Sequence, residues 1–253
     1  MTNSSQTYCK FGQMPLPKIS IVIPTLNEEK YIGVLLTHLE QSPAISNCEV
    51  IVVDAMSSDR TAQVVASFVN VKLISIENEA QRSRAIQMNL GAQAAQANIL
   101  WFVHADTLPP LTFFDDIHKA VKSGHHLGGY AFDFQSTRPL LKLNSMFTRF
   151  NSMVCRGGDQ TVFILRDAFN RLQGFSESHC IMEEYDLFAR AESIGIHYHR
   201  LPGSVKVSPR KYKANSYLQV QRANYQAYKM WKEGAAPELI KERYFSLLKH
   251  PKD

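Results

Sequence analysis

Cysteine is sparse in these 253 residues: Cys9, Cys48, Cys155 and Cys180, with no C-x-x-C pair among them. That removes a zinc ribbon and a disulfide framework, and leaves reduced thiols of the kind found in the cytoplasm. No apolar run approaches the roughly 20 residues a membrane-spanning helix needs. The opening stretch MTNSSQTYCKFGQMPLPK lacks the apolar core of a signal peptide and reads as a flexible leader over residues 1–17. G-x-S-x-G, Walker and G-x-G-x-x-G motifs are all missing, so hydrolase, P-loop and dinucleotide readings lose their anchors. His104, His179, His197 and His199 are scattered, without the i, i+4 pair of a zinc helix, and read as ordinary polar residues. A net charge of +5 is too small to argue for nucleic acid; it suits an anionic ligand or an anionic membrane surface.

What is present is alternation. Short β-branched runs at 18–24, 48–55, 71–76 and 98–106 alternate with amphipathic or alanine-rich stretches at 27–41, 57–69 and 79–97. Strand and helix in turn predict right-handed crossovers and a mostly parallel sheet with helices on both faces. The second half changes character. Strands are expected at 127–135 and 161–166, helices over 138–155, 167–175 and 182–195, and from 213 a helical appendage split at Gly234–Pro237. One domain over 18–212 with an appendage over 213–253 is the expected organisation.

Ligands of such sheets bind at the carboxyl ends of the strands. The fourth run, NILWFVHADTLPP, carries five apolar or aromatic residues straight into His104 and Asp106. A strand that only fills a core has no need of an acid at its tip. Thr25, Asn27 and Glu28 follow the first strand and Asp54 ends the second. One such aspartate would be an ordinary loop cap. Acids on three tips point to a hard cation, Mg²⁺ or Mn²⁺, that keeps phosphate oxygens in its shell.

Arg82 and Arg84 open the third helix, where backbone amides and guanidinium forks both favour phosphate, although a solvated basic face has the same look. CRGGDQ at 155–160 is a glycine loop that permits close backbone approach. Glu183 and Glu184 begin a helix, either to satisfy its dipole or to serve as a general base. SPRKYK at 208–213 adds Arg210, Lys211 and Lys213, as phosphate ligands or a solvated run. In the appendage Tyr217, Tyr225, Tyr228 and Trp231 lie among basic residues; they either pack the helices down or meet a lipid surface.

Taken in order, these segments resemble a family 2 glycosyltransferase of the GT-A fold. SIVIPTLNEE is similar to that family's opening strand and nucleotide-contacting turn, and VIVVDAMSSDRT to its second strand and turn. HAD stands where the family has its D-x-D metal motif, and MEE where it has E-D. The ordered set RSRAIQMN, VHADT, GGDQ and MEEYDL is similar to a bacterial subgroup, and the likeness spans about residues 18–245.

The resemblance implies an inverting, metal-assisted transfer of a sugar from a UDP- or GDP-sugar to an acceptor hydroxyl, on a lipid-linked or small molecule. By the same likeness Thr25, Asn27, Glu28 and Asp54 hold the nucleoside and Asp106 the metal. Arg84 and Arg210 lie near the diphosphate, Gly158, Asp159 and Gln160 form a donor or acceptor loop, and Glu184, or Glu183 beside it, is the base. Two departures stand out: His104 replaces the first acid of D-x-D, and Glu184 replaces an aspartate. A nucleotidyltransferase and a non-catalytic sugar-nucleotide binder are the alternatives. The expected location is cytoplasmic, with a peripheral position at the inner membrane face.

Overall fold

The computed structural model describes residues 18–150 and 161–249. Four parallel strands form its first half: β1 (Ile19–Thr25), β2 (Cys48–Asp54), β3 (Val71–Ser75) and β4 (Ile99–Phe102). β5 (Thr107–Leu108), β6 (Leu127–Phe134), β7 (Val162–Leu165) and β8 (Tyr198–Val207) extend the sheet in the order β3-β2-β1-β4-β7-β6-β8-β5. β7 runs against β4 and β6, and β5 against β8, while the other pairings are parallel. The sheet is thus mostly parallel, as the alternation predicts.

Period-two alternation along β1 assigns its side chains to two cores. Ile19, Ile21 and Ile23 face α1 (Ile32–Glu40) and α4 (Phe113–Lys122), with Leu35, Phe113 and Ile117 in one apolar cluster. Val22 joins Ile51 and Val53 on the other face, against α3 (Arg84–Ala94), α6 (Arg166–Arg171) and α7 (Glu183–Ser193). A strand buried on both faces needs an unbroken apolar run, which is what β1 and β2 have. α3 comes so close to β1 that a Cβ on Gly91 would stand 2.3 Å from Val22 Cγ1. The helix expected over 79–97 is therefore shorter in fact, starting at Arg84 behind an N-cap at Ser83 whose hydroxyl accepts from Ile86 N–H.

β5, α4 and β8 were not foreseen. α4 follows Pro109–Pro110, and β8 lies between β6 and β5 despite Pro202 and Gly203, with an irregular register opposite Gly129–Ala131. The fourth strand also ends earlier than expected. Backbone pairing stops after Val103 N–H, which donates to Val22 O at 3.0 Å, and the chain turns over His104–Thr107. β5 then pairs with β8, Thr107 opposite Val207.

α2 (Thr61–Ala66) covers β3 and α5 (Pro139–Phe147) lies along β6. Beyond β8 come α8 (Lys211–Ala214), α9 (Tyr217–Lys232) and α10 (Pro237–Leu247). Their aromatics mostly pack inward. Tyr228 and Trp231 sit 5.8 and 5.7 Å from the Tyr185 ring, and Tyr217 stacks on Tyr212 at 6.1 Å. Tyr225 alone of the four is strongly exposed, at 66%.

Candidate active site

At the carboxyl edge of the sheet the turns after β1 and β2 are laced together. Thr25 Oγ1 donates to Asp54 Oδ1 at 3.0 Å, and Ser57 gives Asp54 both its backbone N–H and its hydroxyl, at 2.9 and 2.6 Å. Asn27, in the left-handed region at φ +53°, donates its N–H to Ser57 Oγ and accepts from Ser58 N–H. Glu28 N–H donates to Thr61 Oγ1 at 2.7 Å. Thr25 and Asp54, the expected nucleoside ligands, are therefore buried against each other. Their bonds fix the two turns to each other.

Glu28 and Asp106 converge on one cation. Arg210 donates to both oxygens of Glu28, at 2.6 and 3.0 Å, and its Nη2 lies 3.0 Å from Asp106 Oδ2. The guanidinium also stacks over Tyr31, 4.9 Å from the ring centroid. Non-local register explains the meeting. Because Thr107 pairs with Val207, and Ser208 N–H donates to Asp106 O at 3.2 Å, the residues just past β8 lie beside those just before β5. Burial opposes the charge on Arg210, but the Glu28 hydrogen bonds and the Asp106 and Glu28 charges outweigh it and hold the guanidinium protonated.

A second group forms where α3 meets α7. Asn89 donates to Phe175 O and accepts from Phe175 N–H, both at 2.9 Å, which ties the chain after α6 to α3. Gly174 permits this in the left-handed region, at φ +73°, where a Cβ would stand 2.7 Å from Asn89 Oδ1. Gln87 Nε2 spans the ends of β1 and β2, donating to Thr25 O and Val53 O at 2.8 and 2.6 Å. The QMN part of the RSRAIQMN motif is thus a strut. Its signal was a polar pair on the otherwise small, apolar buried face of α3.

This bracing sets Arg84, the first residue of α3, against the first turn of α7. Arg84 Nη1 is 3.2 Å from Glu183 Oε1 and 3.7 Å from Glu184 Oε1, and His104 Nε2 is 3.5 Å from the same Glu184 oxygen. Sequence reasoning set His104 aside as an ordinary polar residue, yet it stands beside the acid pair. Arg84, expected at the diphosphate, has its guanidinium on these acids.

Met182, immediately before the pair, holds φ +65°, a strained value for a methionine. Glu183 and Glu184 side chains are only 4% and 5% exposed. Burial, and then the charge of Glu184, push the Glu183 carboxyl up to about 7 despite Arg84. Burial also resists ionisation of Glu184, but His104 and Arg84 outweigh it and its carboxyl titrates below the usual range. At 3.5 Å the His104 contact is longer than a formed hydrogen bond. Glu184 Oε1 is accordingly a buried acceptor with no hydrogen-bond donor among the described residues.

A divalent cation at the Asp106 side would find a hard carboxylate there, but would share it with the Arg210 guanidinium 3.0 Å from Oδ2. Among the described residues no set of three or more His, Cys, Asp or Glu side chains gathers to hold a metal. Most of the shell would come from water and phosphate oxygens, as Mg²⁺ and Mn²⁺ sites accept. Gly158, Asp159 and Gln160 lie outside the described residues.

The chain matches Glycosyl transferase family 2 over residues 20–171. Among curated relatives, the poly(ribitol-phosphate) beta-N-acetylglucosaminyltransferase TarS of Staphylococcus aureus is 32% identical over 113 residues, 41% of this chain and 20% of that protein. The dolichol-phosphate mannosyltransferase of Pyrococcus furiosus is 31% identical over 110 residues, 42% of this chain and 31% of that protein. The match thus spans less than a third of either relative. Solved structures agree on the fold. A mannosyltransferase from Pyrobaculum calidifontis, in complex with GDP-Man and Mn²⁺, superposes with a TM-score of 0.65 at 18% identity, covering 92% of this chain and 70% of that one. TarS residues 1–349 with UDP-GlcNAc give 0.60 at 18% identity, covering 90% of this chain and 73% of that one. With the family matched over more than half its length and the architecture shared, the chain belongs to glycosyl transferase family 2.

Proposed function

We propose that the protein transfers a sugar from a nucleoside-diphosphate sugar, UDP- or GDP-linked, to an acceptor hydroxyl with inversion at the anomeric carbon. The observation that carries the reading is the division of charge at the sheet edge. Asp106, Glu28 and Arg210 form one group, Glu184, Glu183, His104 and Arg84 the other, and His104 and Asp106 stand two residues apart in one turn.

Each group has its own task. The β1 and β2 turns carrying Thr25, Asn27 and Asp54 form the floor for the nucleoside. Arg210 and Arg84 offer guanidinium forks to the diphosphate, which suits oxygens that gain charge as the bond to the sugar breaks. A Mg²⁺ or Mn²⁺ ion held by Asp106 supplies further charge neutralisation to that leaving group.

Glu184 is the base. It is the carboxylate kept ionised by His104 and Arg84, and an ionised carboxylate can take the proton of an acceptor hydroxyl. The hydroxyl proton passes to Glu184 while its oxygen bonds to the anomeric carbon. The bond from that carbon to the diphosphate oxygen breaks, and the electron pair leaves with the nucleoside diphosphate. Glu183 keeps the proton of the pair and hence limits the negative charge around the base.

The experiment is a nucleoside diphosphate release assay across UDP- and GDP-sugars with an acceptor panel. Glu184→Gln is expected to bind donor as before and to lose about 10²–10⁴-fold in transfer. If Glu184→Gln stays active while Glu183→Gln is dead, the base is Glu183. Release of pyrophosphate in place of nucleoside diphosphate would favour a nucleotidyltransferase.

A further inference from the structure

An unexplained apolar surface of the described residues lies on α5. Leu141 and Ser145 of this helix are buried, and Thr148 just past it donates to Phe132 O at 3.0 Å, so one side is fully engaged with β6. The opposite side is apolar and bare. Leu140, Leu143, Met146, Phe147 and Phe150 are 46–62% exposed and recur at helical spacing. A soluble surface rarely leaves so many large apolar side chains on one face without a partner.

Charge says what that partner is. Between Asp133 and Asp159 the sequence has no acid and four basic residues, Arg138, Lys142, Arg149 and Arg156. Of these, Arg138, Lys142 and Arg149 flank the bare face and are themselves exposed, with Arg149 Nη2 3.7 Å from Asp133 Oδ2. Apolar side chains set between cations are the pattern of a helix that lies in the headgroup layer of an anionic bilayer. A second copy of the chain would bring the same positive charge to the interface and repel. Next to the helix start, an apolar cleft of about 280 Å³ opens between Leu140, Leu141, Tyr212 and Tyr217, with Arg138 beside it. Leu140 belongs to both cleft and stripe. Among the described residues no helix is long and apolar enough to cross a membrane, so any contact of theirs would lie along the surface.

We propose that the α5 face, from Leu140 to Phe150, docks the protein onto an anionic membrane surface. The docked helix is joined to the catalytic edge. Arg138 donates to Tyr212 O at 3.0 Å, Leu141 packs with Tyr212, and Tyr212 follows Arg210 by two residues. This surface differs from the aromatic helices of the appendage, most of whose rings pack inward.

Docking is tested by flotation of the full chain with vesicles of phosphatidylcholine alone and of phosphatidylcholine with phosphatidylglycerol. The intact protein is expected to float with the second and not with the first. Replacing Leu143→Glu and Phe147→Glu together should reduce the partition by about 100-fold, since each apolar side chain kept from the bilayer costs about a tenfold step or more. Both positions are exposed, so the melting temperature and donor binding of the variant should match the parent. A parent that stays with neither vesicle, or a double variant that floats like the parent, overturns the proposal. So does light scattering that finds a dimer in the parent and a monomer in the variant, because the face would then be a contact between copies. Donor binding that persists when flotation fails leaves the transfer reading standing.

Discussion

Glu183→Gln should make the protein more stable, and by an amount that depends on pH. In the folded chain the Glu183 carboxyl is pushed from 4.5 to about 7 by burial and by the adjacent Glu184 charge. A group whose folded value is raised contributes stability that is complete below its unfolded value and is lost as pH rises through the folded one. With one unit worth 1.36 kcal/mol, this contribution falls by about 2–3 kcal/mol between about pH 5 and about pH 8. Glutamine has the shape of the neutral acid and nothing to ionise, so it keeps the contact with Arg84 without the penalty above neutrality. For a chain of this size about 2–4 °C accompanies each kcal/mol.

The variant's gain in melting temperature over the parent should then be about 5–10 °C larger at about pH 8 than at about pH 5. Differential scanning fluorimetry of both proteins at the two pH values reads it directly. Glu184→Gln should instead lose a similar amount of stability at both pH values, because a lowered carboxyl contributes stability present above its unfolded value of 4.5 and lost only as pH falls below it. Equal differences between Glu183→Gln and the parent at both pH values would refute the placement of the proton. A gain that grows with pH in Glu184→Gln instead would reverse the two roles.

Asp106→Ala should abolish the dependence of nucleoside diphosphate binding on Mn²⁺, measured by calorimetry with UDP and with GDP, and unaltered metal dependence would remove Asp106 from the cation site. Asn89→Ala leaves the Phe175 N–H and C=O buried without their partner. It should cost about 1–3 kcal/mol in denaturant unfolding, and a loss below that range would mean the bracing between α3 and the chain after α6 lies elsewhere.

The features legible in the sequence were those fixed by short-range physics. β1 and β2 read as buried parallel strands because both faces are apolar, and Asp54 at the end of β2 and Asp106 past β4 stood out because no core calls for an acid there. β8 was not legible, since Arg200, Pro202 and Gly203 interrupt any alternation and only its neighbours β6 and β5 make it a strand. That omission had a consequence for the site. Arg210 reaches Asp106 through the pairing of Thr107 with Val207, a contact a hundred residues long in the chain. In the same way Arg84 reaches Glu183 only because Asn89 grips Phe175, 86 residues away. Two arginines and four acids were visible as residue types, and both arginines were assigned to phosphate on that basis. Which arginine answers which acid is set by register and bracing. The division that follows, Arg210 held on the Asp106 side and a Glu184 carboxylate kept ionised by His104 and Arg84, belongs to the folded chain alone.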